Sequence, residues 1–516
     1  MNKVHPRYTI TFYPSGLKQT FPAGTILADA LLESGTVINT PCGGKGTCGK
    51  CKIRVEGIHD AVLACRTAVT RDLEIHADRQ EQWTAPVLPA VRADARLAVA
   101  IDIGTTTVNM SLVDISSRAT YEIDTFFNPQ QRFGHDVISR IAAAGKTSGR
   151  SCLQDLIRKT VSSRLVQTFK SASLNTERVE RIVVTGNTTM IYLLFGIDAT
   201  PLGRHPFTAH VRDFTSMQAG EIGFENFSSA HVYAIPVLSA FIGADLIGGL
   251  TLCRDMGISR NALFLDLGTN GELFFLDRDG ASHATSCAMG PALEGMNISW
   301  GMVAHEGAVT HVWKKLDSLA FEMIGNSEPV GITGTALIDI IAILLDKGII
   351  TPGGTLIGPP VSDNGLSGLE KAGDTKRIQL WGQIELTQKD IRNVQLTKAA
   401  SLAASRLLLE AAGCDPADVE HVLIAGSLGE HLDYANFKKL GFLPYFQRAR
   451  HTVLGNTSLK AAEAACLDPD FFNRATYFRN KTREVMLSAT PRFQEVFLRS
   501  LDFPKEKEKR NGPDHN

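Results

Sequence analysis

The first part of the chain alternates hydrophobic and polar residues in the manner of a small β-rich domain. The segment Tyr8–Tyr13 alternates with a period of two, which is typical of a half-buried strand. A helical pattern follows at Ala28–Ser34, and short strands are predicted at Cys51–Val55 and Leu73–His76. We therefore predict that residues 1–78 form one small domain in which a sheet packs with a helix.

Two long apolar runs with a common plan come next. Residues 98–113 and residues 262–276 each predict a buried strand, a tight Gly-Thr turn and a second strand. A plan that repeats in this way, followed each time by helical patterns, predicts two related α/β subdomains around a cleft. The helical patterns are Asp136–Ala144, Leu153–Phe169, Thr335–Leu345 and Thr387–Ala412.

Shifts in composition indicate where these units begin and end. Residues 79–97 carry prolines and charges and are predicted to be a linker. The first subdomain is predicted to cover residues 98–255, and the second, which completes the cleft, residues 256–466. Residues 467–516 form a C-terminal extension without an assigned function, and its charged end is expected to be disordered.

Composition narrows the classes of function. The chain has 516 residues, 44% of them hydrophobic, with a formal net charge of −1 and a pI of about 6.9. This balance gives no support for binding to nucleic acid. No apolar run approaches the roughly 18 residues of a membrane span, and the N-terminus lacks the apolar core of a secretory signal. The cytoplasm is therefore the expected location, with no membrane partner.

Four cysteines lie close together and predict a metal centre: Cys42, Cys48, Cys51 and Cys65. In a cytoplasmic protein, clustered cysteines are better interpreted as metal ligands than as disulfides. Glycines at positions 43, 44, 46 and 49 let the backbone curl around a [2Fe–2S] cluster and point amide groups at its sulfurs. A structural zinc site is the alternative, but such sites usually use two short cysteine pairs, and only Cys48 and Cys51 form one.

The remaining cysteines are scattered singly along the chain, and we expect them to be small buried hydrophobic residues. Only the one at position 287, in a glycine-containing run near the presumed cleft, is also considered for a functional role. These residues are Cys152, Cys253, Cys287, Cys414 and Cys466.

The two Gly-Thr turns have the chemistry of a nucleotide site. In each turn a strand ends in an acid, Asp102 or Asp266, which can hold Mg²⁺ through water. The residues that follow offer backbone amides and hydroxyls to phosphate oxygens. A structural duplication without any nucleotide is the alternative. The predicted phosphate-binding residues are Gly104, Thr105, Thr106, Thr107, Gly268, Thr269, Asn270 and Gly271.

Three later segments resemble parts of the superfamily of actin, heat-shock chaperones and sugar kinases, which has an RNase H-like α/β fold. Residues 182–190 and 331–339 resemble its two connecting segments, and residues 422–429 resemble its adenosine motif. Taken singly, each is also an ordinary strand, turn and helix, so their order along the chain favours the resemblance. In the adenosine motif, the residues expected to let a nucleotide lie against the backbone are Gly426, Ser427 and Gly429.

The combination of these parts resembles one family. Residues 5–78 resemble a [2Fe–2S] ferredoxin domain, with the longer first gap between cysteines that adrenodoxin-type ferredoxins have. A ferredoxin domain joined to a duplicated actin-like ATPase resembles the reductive activators of corrinoid proteins. Residues 126–141 and 288–296 strengthen this resemblance, which covers about residues 5–466.

The resemblance implies an ATP-hydrolysing enzyme of anaerobic metabolism, with a [2Fe–2S] cluster, ATP and Mg²⁺ as cofactors. It would reduce inactive Co(II) to Co(I) in a corrinoid protein of a methyltransferase system by transferring one electron. The electron would come from an unidentified low-potential donor, and a homodimer is one candidate assembly. The expected catalytic residues are Asp102 and Asp266, which hold Mg²⁺, and Glu272, which either orients the attacking water or is structural.

Two other functions stay open at the level of sequence. One is a small-molecule kinase of the sugar-kinase superfamily with a redox-sensing ferredoxin domain. The other is a redox scaffold that binds nucleotide without turnover. Asp136 and Arg140, four residues apart on a predicted helix, are expected to form an ordinary surface ion pair rather than part of a site.

Overall fold

The computed structural model of this chain divides into two compact units. It describes residues 6–13, 16–34, 38, 40, 44–47, 49, 51–76, 88, 91–92, 94–134, 136–268, 270–295, 297–304, 306–315, 318–325, 328–357, 370–372, 375–426, 428–444, 446 and 448–505. The first unit consists of Met1–Leu252 and Ser458–Arg479, and the second of Cys253–Thr457 and Asn480–Asn516. The charged end expected to be disordered lies outside the described residues from position 506 onwards.

The N-terminal domain is a five-stranded sheet with one helix, as the alternation of its sequence predicts. Its strands are β1 (Arg7–Tyr13), β2 (Leu17–Pro22), β3 (Lys52–Val55), β4 (Val62–Leu63) and β5 (Leu73–His76), and its helix is α1 (Leu27–Glu33). The strand order is β2-β1-β5-β3-β4, with β1 parallel to β5 and antiparallel to β2. Ile10, Phe12 and Phe21 from the sheet pack with Leu31 of the helix in one buried core.

The first α/β subdomain is built on a six-stranded sheet. Its strands are β6 (Leu97–Ile103), β7 (Thr107–Asp114), β8 (Ala119–Phe127), β9 (Val179–Gly186), β10 (Met217–Gln218) and β11 (His231–Ala234). Every residue of β6 is buried, as expected for an apolar run at the centre of a sheet. Its helices are α2 (Val137–Ala144), α3 (Gly149–Ser171), α4 (Thr188–Phe195) and α5 (Ala244–Asp255).

The second subdomain has another six-stranded sheet and two small three-stranded sheets. Its strands are β12 (Ala262–Leu267), β13 (Asn270–Leu276), β14 (Ser282–Ala288), β15 (Ala308–Lys315), β16 (Ser318–Met323), β17 (Gly331–Ile332), β18 (Glu370–Ala372), β19 (Thr375–Trp381), β20 (Ile384–Thr387), β21 (His421–Ala425), β22 (Arg450–Gly455) and β23 (Thr482–Glu484). The remaining helices of the chain are α6 (Gly334–Asp346), α7 (Gln388–Ala411), α8 (Tyr434–Leu440), α9 (Thr457–Leu467), α10 (Phe471–Lys481) and α11 (Phe493–Arg499).

The two large sheets have the same topology. In the first, the order β8-β7-β6-β9-β11 contains an antiparallel meander of three strands followed by two parallel ones, and β10 is added at the edge. In the second, β14-β13-β12-β21-β22 repeats this arrangement, and β23 is added at the other edge. The predicted fold class, a ferredoxin domain followed by a duplicated RNase H-like α/β fold, is confirmed.

Capping side chains explain where several helices begin. Asp136, Asn187 and Thr333 each accept a hydrogen bond from an amide in the first turn of a helix. These amides have no carbonyl partner within the helix, so the side chains satisfy them. Thr387 and Asp390 form a capping box at the start of α7. The four predicted helices are confirmed, although α3 begins four residues before the predicted Leu153. None of the helices in the described ranges is both long enough and apolar enough to span a membrane.

Helices α5 and α9 are counterparts in the two halves, because each follows the fifth strand of its sheet. They pack together in the first unit, where a Cβ placed on Gly248 would lie only 2.6 Å from the Cβ of Ala461. The chain crosses between the units after Leu252, Thr457 and Arg479. The two segments that resemble connecting segments, residues 182–190 and 331–339, each lie within one unit, and their assignment stays a prediction.

Candidate functional site

The cysteine centre is partly described, and the described part fits an iron–sulfur cluster. Cys51, just before β3, is buried, and Cys65 lies in a 3-10 helix, with 3.3 Å between their sulfurs. The two cysteines are not joined by a disulfide. Two sulfurs that each lie about 2.3 Å from one tetrahedral metal are about 3.8 Å apart. The sulfurs of Cys51 and Cys65 therefore need to move apart only slightly to bind the same iron. Cys42 and Cys48 lie outside the described residues.

The loop before Cys51 has the backbone conformation that its glycines predict. Gly44, Gly46 and Gly49 have φ angles of 75°, 75° and 70°, in the left-handed region that glycine adopts without strain. A hydrogen bond from the Ala64 amide to the Cys51 carbonyl, 3.0 Å long, holds the two described ligands together. The described glycines thus curl the backbone next to Cys51, and the four-cysteine ligand set stays a prediction.

The first Gly-Thr turn joins β6 to β7. Its glycine amide donates to the carbonyl of Thr107 at 2.8 Å, and a Cβ on Gly104 would lie 2.7 Å from that oxygen, so the turn requires glycine. Asp102 is near the end of β6, and Thr105 and Thr106 are buried at the turn. The structure therefore brings all the predicted residues of the first loop together in one hairpin.

Side chains from outside the hairpin hold its carbonyl groups. Asn128 Nδ2 donates to Gly104 O at 2.8 Å, and Gln131 Nε2 donates to Thr106 O at 2.7 Å. Arg140 donates to the intervening carbonyl, that of Thr105. The C=O and N–H groups of a trans peptide point in opposite directions. The N–H groups of Thr105, Thr106 and Thr107 therefore point away from the side chains that hold the three carbonyls. Consecutive amides can bind phosphate, and this role of the loop stays a prediction.

Arg140 is consequently not the surface residue that the sequence predicts. It is completely buried, and its guanidinium also donates to the carbonyl of Gly134 and contacts the sulfur of Met190. Asp136 caps α2 through the amide of Ser139. The prediction of an ordinary surface ion pair is wrong, because the helix turns Arg140 into the interior to support the loop.

Asp102 lies in a cluster of polar side chains. Its Oδ1 accepts from the hydroxyl of Ser458 at 2.8 Å, and its Oδ2 accepts from Asn109 at 3.3 Å. Asp245, the second residue of α5, also lies in this neighbourhood. Burial, with a smaller contribution from the negative charge of Asp102, raises the pKa of Asp245 from 3.8 to about 7. Two neighbouring carboxylates suit Mg²⁺, which is typically bound by one or two carboxylates plus substrate phosphates.

The second hairpin, between β12 and β13, repeats the first. Asp266 lies opposite Glu272, at the register positions that Asp102 and Asn109 occupy in the first sheet. Glu272 is buried in its strand. A Cβ on Gly271 would lie 2.2 Å from the sulfur of Met289, so the close packing of the next segment requires glycine here. Asn270 begins β13, and Gly268 precedes it.

The adenosine-motif residues lie beside this hairpin. Gly426 follows β21 with a φ of 90°, and a Cβ there would lie 2.8 Å from the carboxylate of Asp266. Gly429 begins a short 3-10 helix. Thr269 and Ser427 are outside the described residues. Each half of the chain thus brings its own predicted loop residues together, while the roles assigned to them stay predictions.

Several residues of these sites were not predicted from the sequence. Asn187 donates to the hydroxyl of Thr105 at 2.9 Å. Gly186, with a φ of 141°, is the last residue of β9 and matches Gly426, which follows the equivalent strand β21. The internal duplication could have revealed them. Asp245 could have been found as an acid in the glycine-rich segment that opens a helix, whereas nothing local marks Ser458.

The scattered cysteines differ in exposure. Burial raises the pKa of the Cys287 thiol to about 12, so it stays protonated and is a poor nucleophile. Cys253 and Cys466 are also buried, as predicted. The expectation of burial is wrong for Cys152, which is exposed because it lies on the solvent side of α3, and Cys414 is only partly buried.

Three family models match consecutive parts of the chain. Residues 12–70 match the 2Fe-2S iron-sulfur cluster binding domain. Residues 97–256 match the RACo middle region. Residues 260–512 match the C-terminal domain of RACo, described as the ASKHA (actin and sugar kinase-like) domain.

The chain is also similar to characterised proteins over most of its length. It is 27% identical to corrinoid activation enzyme RamQ of Eubacterium limosum, covering 93% of this chain and 96% of that protein. It is 25% identical to the [Co(II) methylated amine-specific corrinoid protein] reductase of Methanosarcina barkeri, covering 78% of this chain and 76% of that protein. A solved structure of a reductive activator for a corrinoid, iron-sulfur protein aligns with a TM-score of 0.73 and 25% identity, covering 97% of this chain and 99% of that one.

Proposed function

This chain belongs to the RACo family, and on that premise we propose that it activates a corrinoid protein by reducing Co(II) to Co(I) at the expense of ATP. The observation that carries the proposal is the joining, in one chain, of a cluster-binding domain and a duplicated ATPase fold. Neither part alone would distinguish an activator from a ferredoxin or from a kinase.

ATP is needed because the electron transfer is unfavourable. The Co(II)/Co(I) couple of a corrinoid protein has a very low potential, and each ~59 mV of mismatch reduces the equilibrium constant of a one-electron step tenfold. An ordinary ferredoxin centre therefore cannot drive the reduction on its own. A cycle of nucleotide-dependent conformations in the ATPase would supply the missing free energy.

The residues of the N-terminal domain hold the electron carrier. When bound, the [2Fe–2S] cluster supplies electrons one at a time. Cys51 and Cys65, together with the predicted ligands Cys42 and Cys48, would hold it, and the amides of the glycine-rich loop would stabilise its added negative charge.

The residues of the two hairpins bind and hydrolyse ATP. We assign Mg²⁺ binding through water to Asp102 and Asp266, and phosphate binding to the amides and hydroxyls of both loops. Glu272 retains its proposed role in orienting the attacking water. Asp245 is a second candidate for this role, because a carboxylate whose pKa lies near 7 can accept a proton at neutral pH.

One experiment tests the proposal. The protein is purified anaerobically with its cluster, the cluster is reduced with a low-potential chemical reductant, and the excess reductant is removed. ATP hydrolysis and the Co(I) absorption band are then followed with and without a Co(II) corrinoid protein. We expect the corrinoid protein to stimulate hydrolysis and Co(I) to form only with ATP. Reduction that proceeds equally well without nucleotide would contradict the proposal, and phosphate transfer to a small metabolite would support the kinase alternative.

The partner, electron donor, assembly and location of the enzyme form a further part of the proposal. We propose that the corrinoid protein serves a methyltransferase, that a low-potential donor reduces the cluster, and that the enzyme acts as a homodimer in the cytoplasm of an anaerobe. Clustered cysteines that hold a cluster support a reducing compartment. Sedimentation of the anaerobic protein tests the dimer, and a titration with Co(II) corrinoid proteins from different methyl-transfer systems identifies the partner by the rate of Co(I) formation.

A further inference from the structure

A serine from the C-terminal part of the chain reaches the acid of the first nucleotide loop. Ser458 is the second residue of α9 and is 356 residues away from Asp102 in the sequence. Its hydroxyl donates to Asp102 Oδ1 at 2.8 Å, and the serine and aspartate are only 5% and 8% exposed. This contact therefore depends on the return of α9 to the first unit.

The direction of the hydrogen bonds around Ser458 follows from simple chemistry. Thr185, which lies beside Asp102 in the parallel ladder, has its hydroxyl 3.2 Å from that of Ser458. An ionised carboxylate only accepts, so Ser458 gives its single hydroxyl hydrogen to Asp102. Thr185 must then donate to Ser458. The chain of donors ends at one defined oxygen of Asp102, which fixes the orientation of the carboxylate.

The internal duplication places this serine at a special position. Ser458 is the second residue of α9, and Asp245 is the second residue of the matching helix α5. Asp245 already adds a carboxylate beside Asp102. A third acid at position 458 would increase the repulsion, whereas the serine at that position offers Asp102 a donor instead.

We propose that Ser458 is a positioning residue that holds Asp102 in the orientation needed for the hydrated Mg²⁺ of the bound nucleotide. The proposal rests on the nucleotide site of the proposed function. Mg²⁺ demands near-ideal octahedral geometry, so a carboxylate that turns freely binds it less well. Loss of such a supporting partner typically lowers metal affinity by about 10–100-fold.

The test compares nucleotide binding with and without the metal in the full-length protein that holds its cluster. The dissociation constant of ADP is measured by calorimetry, once with Mg²⁺ and once with EDTA. We expect Ser458→Ala to weaken binding at least about tenfold in Mg²⁺ and by less than about twofold in EDTA. Ser458→Thr, which keeps the hydroxyl, should restore binding in Mg²⁺, and Ser458→Asp should weaken it further than alanine.

Ser405→Ala is the matched control. Ser405 is also fully buried, but its hydroxyl donates to the backbone carbonyl of Ser401 and not to a carboxylate. This variant should bind ADP like the wild type under both conditions. Thermal unfolding and the visible absorption of the cluster report whether each variant folds. If Ser458→Ala does not fold, Thr185→Val carries the test, with an expected loss of about threefold in Mg²⁺ alone.

Three outcomes would overturn the inference. Equal ADP binding by the wild type and Ser458→Ala in Mg²⁺ would do so, and so would an equal loss in Mg²⁺ and in EDTA, which would indicate a general effect on the pocket. If the wild-type protein itself bound ADP no better with Mg²⁺ than with EDTA, both the inference and the proposed Mg²⁺ site would fail. The wild-type measurement thus separates the two failures.

Discussion

At the scale of single residues, the negative charge of Asp102 acts on the neighbouring carboxylate of Asp245. Asp245 is the one whose pKa rises to about 7, because burial and then the charge of Asp102 disfavour its ionised form. A pKa that is higher in the folded than in the unfolded state stabilises the protein below pH 4, and this stabilisation is lost as the pH rises through about 7. At pH 8 the nucleotide-free protein is thus expected to be destabilised by the repulsion between these two carboxylates.

This repulsion predicts that Asp245→Asn stabilises the free protein while impairing ATP hydrolysis. In EDTA at pH 8, the variant should unfold at least about 2 °C above the wild type, because it carries no charge beside Asp102. At pH 5 the difference should shrink. Asp60→Asn is the control, since the side chain of Asp60 is 97% exposed. A difference in melting temperature between wild type and Asp245→Asn that stays constant from pH 5 to pH 8 would contradict the prediction.

Arg140 leads to a second prediction at this scale. Its planar guanidinium reaches the carbonyls of both Thr105 and Gly134, which a lysine ammonium on a flexible stem does not match. We expect Arg140→Lys to leave one buried carbonyl without its donor, at a cost of about 1–3 kcal/mol in the free energy of unfolding. ATP binding should weaken as well, because the loop amides lose their fixed orientation.

Chemical denaturation and an ATP titration of the same preparation measure these two effects. Arg158→Lys is a suitable control, because Arg158 donates from its Nε to the carbonyl of Leu194 in α4, outside the phosphate loop. The control should alter stability without changing the affinity for ATP. If Arg140→Lys affected stability alone, its role in shaping the loop would be excluded.

At the scale of elements, the packing of α5 on α9 depends on the absence of a side chain at Gly248. A Cβ there would lie 2.6 Å from the Cβ of Ala461, far inside van der Waals contact. We expect Gly248→Ala to lower the stability by about 1–3 kcal/mol through overpacking, despite the better helix propensity of alanine. The double variant, Gly248→Ala with Ala461→Gly, should regain most of the lost stability. Thermal unfolding of the wild type and the two variants measures this.

Local sequence patterns predict the strands and helices but not the tertiary contacts between residues that are far apart in the chain. Buried runs such as Leu97–Ile103 and Ala262–Leu267, and their repetition, predict the strands and the duplicated fold, because strand burial is encoded locally. The meeting of Ser458 with Asp102 depends on the return of a helix across 356 residues, which no local pattern encodes. The burial of Arg140 likewise depends on tertiary packing, since the pattern predicts its helix but not the face that the helix buries.

At the scale of the whole molecule, one ion pair links the ferredoxin domain to the nucleotide loop. Arg132 follows β8 in a 3-10 helix, and its guanidinium lies 2.6 Å from the carboxylate of Asp29 on α1. The residue before it, Gln131, holds the carbonyl of Thr106 in the phosphate loop. A shift of that loop on nucleotide binding would therefore be passed directly to the domain that carries the cluster.

This link predicts that Arg132→Gln weakens the coupling between ATP hydrolysis and electron transfer without abolishing either part. Burial raises the pKa of Asp29 and Arg132 opposes this effect, so removing the arginine leaves a half-buried acid that ionises less readily. A partly exposed ion pair contributes about 1 kcal/mol or less, so we expect at most about a fivefold fall in Co(I) formed per ATP hydrolysed. Asp29→Asn should act similarly, and the double variant should be no worse than either.

Arg92→Gln, which breaks a pair with Asp94 on the exposed linker, should leave the ratio unchanged. An unchanged ratio in Arg132→Gln would mean that the nucleotide signal reaches the cluster domain by another route.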